Sequence, residues 1–206
     1  MEERMIPSNA KKKTNTRAIV GLGLLTAIVI LLQVLGQFIK FGPFSISLVL
    51  MPIVVGAALF GVGAGAWLGL VFGAVVLLGG DAAPFLAIDP YGTVIVVLLK
   101  GILAGACAGL VYKLISKKGN IVLAVIAAAA VAPIVNTGIF LVGCNLFFFD
   151  TVKAWGEGLG FENVGTYMIV GLVGLNFVFE FVVNLILCPA IVMLIKYGEK
   201  SIARRK

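Results

Sequence analysis

Residues 174–189 read GLNFVFEFVVNLILCP. The stretch is apolar enough to lie within a lipid bilayer, yet it carries Asn176, Glu180 and Asn184 at intervals of four. In an α-helix that spacing keeps all three within about 80° of one face. An ionised side chain at mid-membrane costs about 2.5–3.5 kcal/mol on insertion scales. Glu180 is therefore expected to face a bundle interior or a watery cavity rather than lipid.

The rest of the chain supports a membrane setting. Of its 206 residues 61% are hydrophobic and 12% are charged, and its mean hydropathy is +1.16. Soluble domains run at about 45–50% apolar and about 25% charged residues. The chain has no histidine, which removes histidine-based zinc sites, Ser–His relays and the histidine switch near neutral pH. Cys107, Cys144 and Cys188 each sit alone in an apolar run, with no C-x-x-C pair. They read as small buried hydrophobes, and no metal site or cofactor is expected.

A spanning helix needs about 20 mostly apolar residues. Six runs qualify: 17–39, 44–60, 62–79, 91–115, 121–149 and 166–196. The expected fold is an all-α membrane protein, a six-helix transmembrane bundle in one domain over 17–197. Basic tails occupy 1–16 and 198–206. The first run follows AKKKTNTR, but it is too long for the core of a secretory signal and is taken as a span.

Charge orients the bundle. One side holds Arg4, Lys11, Lys12, Lys13, Arg17, Lys113, Lys117, Lys118, Lys196, Lys200, Arg204, Arg205 and Lys206, the other only Lys40 and Lys153. The positive-inside rule places both termini in the cytoplasm of a multi-pass cell-membrane protein. Asp81, Asp89, Asp150, Glu157 and Glu162 then fall in the outer loops. The net charge of +7 is a topology signal, and its division among three segments beside the membrane argues against nucleic-acid binding.

Glycines mark the helix contacts. Gly61, Gly65, Gly69 and Gly73 repeat every four residues, as do Gly101, Gly105 and Gly109. Such strips let helix backbones approach closely in a membrane, and packing within the chain is expected for both. A shorter strip, Gly23 and Ala27, suits either internal packing or a partner protein. The outer loops 79–92 (GGDAAPFLAIDPYG) and 150–165 (DTVKAWGEGLGFENVG) suit lids over a pocket or ordinary connectors. Trp155 is a pocket or interfacial residue, and Trp67 an interfacial or packing residue.

Further polar groups interrupt the apolar runs at Lys100, Asn136 and Asn145. Lys100 shares a helix face with Thr93, seven residues earlier. Asn136 follows Pro133, where a bend in the helix that frees backbone groups is expected. Asn136 and Asn145 lie on opposite faces of an ideal helix and share a site only if that span bends. Lys100 and Glu180 either pair to hold two helices together or border a polar pocket. The candidate binding set is Lys100, Asn136, Asn176, Glu180, Asp81, Asn145 and Trp155, with Asn184 deeper and structural.

The stretch SLVLMPIVVGAALFGVGAGAWLGLVFG, residues 47–73, resembles the second and third spans of substrate-binding S components of energy-coupling factor (ECF) vitamin transporters. Gly23-x-x-x-Ala27 looks like a variant of that family's Ala-x-x-x-Ala coupling motif. Length, span count, basic inner loops and polar later spans extend the resemblance over nearly the whole chain.

The resemblance implies a division of labour. The first three spans dock on a transmembrane coupling protein, and the later spans and outer loops bind a vitamin or precursor. Two cytosolic ATPases supply energy. The chain has no G-x-x-x-x-G-K-[ST] phosphate loop, which is consistent with a non-enzymatic binding component. Rival readings are a stand-alone facilitator or channel for a small polar solute and a membrane-embedded enzyme using Glu180. A pocket with Lys100 and Glu180 suits a ligand bearing a carboxylate with hydroxyl or amide groups, such as pantothenate. Riboflavin, folate or a pyrimidine precursor would instead stack on Trp155 or Tyr167.

Overall fold

The computed structural model describes residues 16–38, 40–41, 44–45 and 48–203. The basic tail residues Arg4, Lys11, Lys12, Lys13, Arg204, Arg205 and Lys206 lie outside the described residues. So do the side chains of Arg17, Lys40 and Lys200.

The fold is all-helical apart from a two-residue antiparallel ladder. Helix α1 covers Thr16–Gly36, and β1 (Lys40–Phe41) pairs with β2 (Phe44–Ser45). Then follow α2 (Leu50–Phe60), α3 (Val62–Leu78), α4 (Ala83–Leu86), α5 (Pro90–Ser116) and α6 (Ile121–Phe147). The remainder is α7 (Phe149–Gly158), α8 (Val164–Thr166), a π-helical stretch Tyr167–Leu172, α9 (Gly174–Ile186) and α10 (Cys188–Ala203).

Local chemistry sets these boundaries. Asp89 caps α5, accepting from the backbone N–H groups of Tyr91 and Gly92 at 3.0 Å each, and Pro90 opens the helix. A side-chain acceptor there satisfies donors that the first turn leaves orphaned, and proline at the first position loses nothing. Asn120 caps α6 through the Leu123 N–H at 2.9 Å. Gly61 ends α2 at φ +94, a left-handed conformation that admits glycine without strain. Pro133 sits inside α6, which runs on past it.

Of the described helices, α1, α5 and α6 are each long and apolar enough to cross a membrane. Val164–Leu172 with Gly174–Ile186 forms a fourth candidate, bent by 46°. Leu50–Phe60, Val62–Leu78 and Cys188–Tyr197 are shorter apolar helices. At 1.5 Å per residue α2 is about 16 Å long, well under the thickness of a bilayer core.

The expected unbroken span over 166–196 needs correction. Its first part winds as a π-helix, in which the Val173 N–H donates to the Met168 carbonyl at 3.3 Å, five residues back. The chain then breaks at Val173. A Cβ on Gly174 would stand 2.8 Å from the Ile169 carbonyl oxygen, so glycine permits the close approach. A second interruption at Leu187 precedes Pro189, which has no N–H to continue the ladder.

Helix α5 is central and packs most extensively against α3 and α6. Its contact with α3 is a glycine seam. A Cβ on Gly65 or Gly69 would collide with the carbonyl of Gly105 or Gly101 respectively, and the reverse substitutions would collide likewise. A Cβ on Gly73 would lie 2.8 Å from the Val97 carbonyl. These strips therefore pack within the chain. Helix α9 lies on α6, and α10 lies on α2 and α6. By contrast, only 11% of the apolar window of α1 is buried.

Candidate functional site

A cavity of about 70 Å³ opens among α1, α3, α4, α5, α6 and α9. That is room for several waters, since one needs about 10–15 Å³ on this measure. The lining follows helical periodicity. Helix α5 contributes Thr93, Val96, Val97 and Lys100, and the break and α9 contribute Val173, Asn176, Phe177 and Glu180. Both sets fall at i, i+3, i+4 and i+7, one stripe of each helix. Helix α6 adds Asn136, Thr137 and Phe140, and α1 adds Gln33. Asp81, Ala82, Phe85, Phe148 and Val76 complete the wall.

Apolar clusters flank the polar groups. Val76, Ala82 and Val97 belong to a core shared by α2, α3, α5, α6 and α10. Phe85, Phe148 and Val173 belong to a second core with Tyr167 and Trp155. Phe85 meets Phe140, Phe148 and Trp155 edge-on at 5.5, 4.9 and 5.5 Å between ring centres. Such pairs add about 0.5–1.5 kcal/mol beyond area burial, so the aromatic wall is firmly seated.

Lys100 reaches between two rings. Its Nζ lies 5.7 Å from the centre of Phe72 and 5.3 Å from that of Phe140, within cation–π range. Glu180 and Asp81 both act on it electrostatically. Among the described residues Lys100 is the one basic side chain of the lining, against the carboxylates of Asp81 and Glu180. The Thr93 hydroxyl donates to the Asp89 carbonyl at 2.7 Å.

Side-chain carbonyls of the lining are left over, those of Gln33 and Asn136 among them. Gln33 is 1% exposed and Asn136 5% exposed. Gln33 Oε1 and Asn136 Oδ1 find no hydrogen-bond partner among the described residues. A buried polar atom left without one costs about 1–3 kcal/mol. The Gln33 amide nitrogen donates to Asp81 at 3.2 Å.

Of the sequence-expected set, Lys100, Asn136, Asn176, Glu180 and Asp81 line this one cavity. Asn145 does not: it is exposed, nine residues from Asn136 and so half a turn away around the continuous α6. Trp155 lies outside it too. It lines a neighbouring groove with Pro84, Ala154, Gly158, Leu159 and Tyr167, and packs on Phe85, which lines both. The loops 79–92 and 150–165 hold the short helices α4 and α7. Gln33 and Thr137 were missed in the sequence, although a lone glutamine in an apolar span obeys the rule that singled out Asn136. Asn184 is buried at 4% exposure, away from the lining. Gly23 and Ala27 lie on an exposed face of α1, and a Cβ on Gly23 would meet nothing within 4 Å among the described residues.

Comparison with known proteins agrees with this architecture. The fold resembles that of ThiT from Listeria monocytogenes, with a TM-score of 0.60 and 18% identity over 87% of this chain and 97% of that one. The pantothenic acid transporter PanT of Lactococcus lactis subsp. cremoris (strain MG1363) is 27% identical over 199 residues, 88% of this chain and 94% of its own length. The family profile described as ECF transporter, substrate-specific component, matches residues 17–195. The chain therefore belongs to the family of ECF transporter substrate-specific components, which are transport proteins and not enzymes.

Proposed function

We propose that this chain is the high-affinity binding subunit of an ECF-type ABC importer and captures pantothenate from outside the cell. It crosses the membrane six times, counting α2, α3 and the segment continued by α10, with both termini cytoplasmic. It works with two cytosolic ATPases and a transmembrane coupling protein, and the coupling protein meets α1 at Gly23 and Ala27. Bound pantothenate places its carboxylate toward Lys100 and its hydroxyl and amide donors toward Glu180, Asn136 and Asn176. The observation that carries this assignment is the single cavity in which Lys100, Glu180 and the two asparagines converge. The resemblance to a pantothenic acid transporter adds to it.

One observation favours a second ligand class. Among the described residues the lining holds two carboxylates against one cation, which suits a positively charged water-soluble vitamin better than an anion. Uptake of radiolabelled pantothenate by cells expressing the chain with and without the coupling protein and ATPases tests the main proposal. Accumulation only with the full set is expected. Accumulation by the chain alone would make it a facilitator, and accumulation of a labelled cationic vitamin but not of pantothenate would move the ligand to the second class.

A further inference from the structure

We infer that Gln33 of α1 is a specificity-determining, ligand-contacting residue, and that Asp81 is the positioning residue that aims it. The inference rests on the vitamin-binding role proposed above and adds a ligand group from the first helix.

The argument starts from the asymmetry of a primary amide. Its nitrogen only donates and its oxygen only accepts. The Gln33 nitrogen donates to an Asp81 oxygen at 3.2 Å. That settles which end of the amide is which, a choice otherwise open to inversion. The oxygen is left to accept from another donor, and Gln33 lines the cavity. It is 1% exposed and its Oε1 has no partner among the described residues. Asn136 Oδ1, in the wall formed by α6, is in the same condition.

The buried acceptors of Gln33 and Asn136, in one cavity, constrain the chemistry of what fits there. The ligand must bring hydrogen-bond donors, hydroxyl or amide N–H groups, for both oxygens. An analogue stripped of one donor leaves an oxygen unmet and is rejected. Such a ligand bridges α1 and α6. Helix α1 is otherwise thinly packed, so the bridge makes the placement of α1 depend on the occupant.

The test is titration calorimetry on the full-length chain in detergent. Wild type, Gln33→Met and Asp81→Asn are titrated with pantothenate and with analogues each lacking one hydroxyl or carrying an N-methylated amide. Gln33→Met keeps the bulk and removes the acceptor. It should weaken pantothenate about tenfold or more, yet bind one particular analogue as well as wild type does, because that donor has already lost its partner. Asp81→Asn, whose amide can both donate and accept, should reduce discrimination between pantothenate and that analogue. A merely structural Asp81 would leave this ratio unchanged. Equal affinity of wild type and Gln33→Met for every compound would overturn the inference. Should Gln33→Met fail to fold, Gln33→Asn withdraws the oxygen by one methylene and must show the same loss.

If wild type does not bind pantothenate, the ligand assignment falls. The variants are then compared on whichever of thiamin, riboflavin, biotin and pyridoxine wild type does bind. An unchanged affinity there would overturn the role of Gln33 separately. A wild-type chain that binds none of these compounds would overturn both.

Discussion

Gly69 of α3 and Gly101 of α5 meet backbone against backbone, each leaving no space for a Cβ on the other. Lys100 is the residue before Gly101, so the seam that joins the two helices also sets the depth and rotation of the cavity's cation. Gly69→Val or Gly101→Val forces the helices apart. Overpacking of this kind costs about 1–3 kcal/mol or more. Both variants should melt earlier in detergent than wild type, and Gly101→Val should also lose ligand affinity.

Gly23 gives the opposite outcome. No atom of the described chain stands within 4 Å of a Cβ built there, and Ala27 is exposed beside it. Gly23→Leu and Ala27→Leu should leave melting temperature and ligand affinity of the isolated chain unchanged while abolishing uptake by the assembled transporter. Parallel loss of binding and uptake would show that the strip serves the internal fold.

Glu180 and Lys100 are expected to act on ligand together. Glu180→Gln keeps shape and removes charge, and should weaken pantothenate by about tenfold, about 1.4 kcal/mol. Lys100→Met combined with Glu180→Gln separates a binding pair from a structural one. A purely structural pair is largely rescued when both charges go, because no buried charge is left uncompensated. Titration calorimetry of both single variants and the double should show affinity still depressed in the double.

Orientation can be read by chemical labelling. In a background with Cys107, Cys144 and Cys188 replaced, Lys153→Cys should react with a membrane-impermeant thiol reagent applied to intact cells. Lys118→Cys, in the turn between α5 and α6, should react only after lysis. Labelling of residue 118 from outside would invert the topology.

How much of this was legible in the sequence varies with the kind of signal. The α3–α5 seam was visible because glycine at every fourth position has few other uses in an apolar helix. The convergence of Lys100, Asn136, Asn176 and Glu180 was visible because lipid excludes such groups. Asn145 obeyed the same rule and failed it, since its place near the end of α6 lets it lie exposed. The π-turn and the break at Val173 depend on hydrogen bonds five residues apart, for which the Gly171 and Gly174 pair is only a faint marker. Gln33 was overlooked because a polar residue on the first helix has meaning only once Asp81, 48 residues later, is seen beside it.

The central claim is that one cavity, with Lys100 as its cation, binds pantothenate. Titration of the purified chain and of Lys100→Met with pantothenate tests it most directly. Saturable binding at one site in wild type, weakened by at least about tenfold in a folded Lys100→Met chain, is the predicted result. Absence of binding to wild type, or equal affinity in the two proteins, would contradict it.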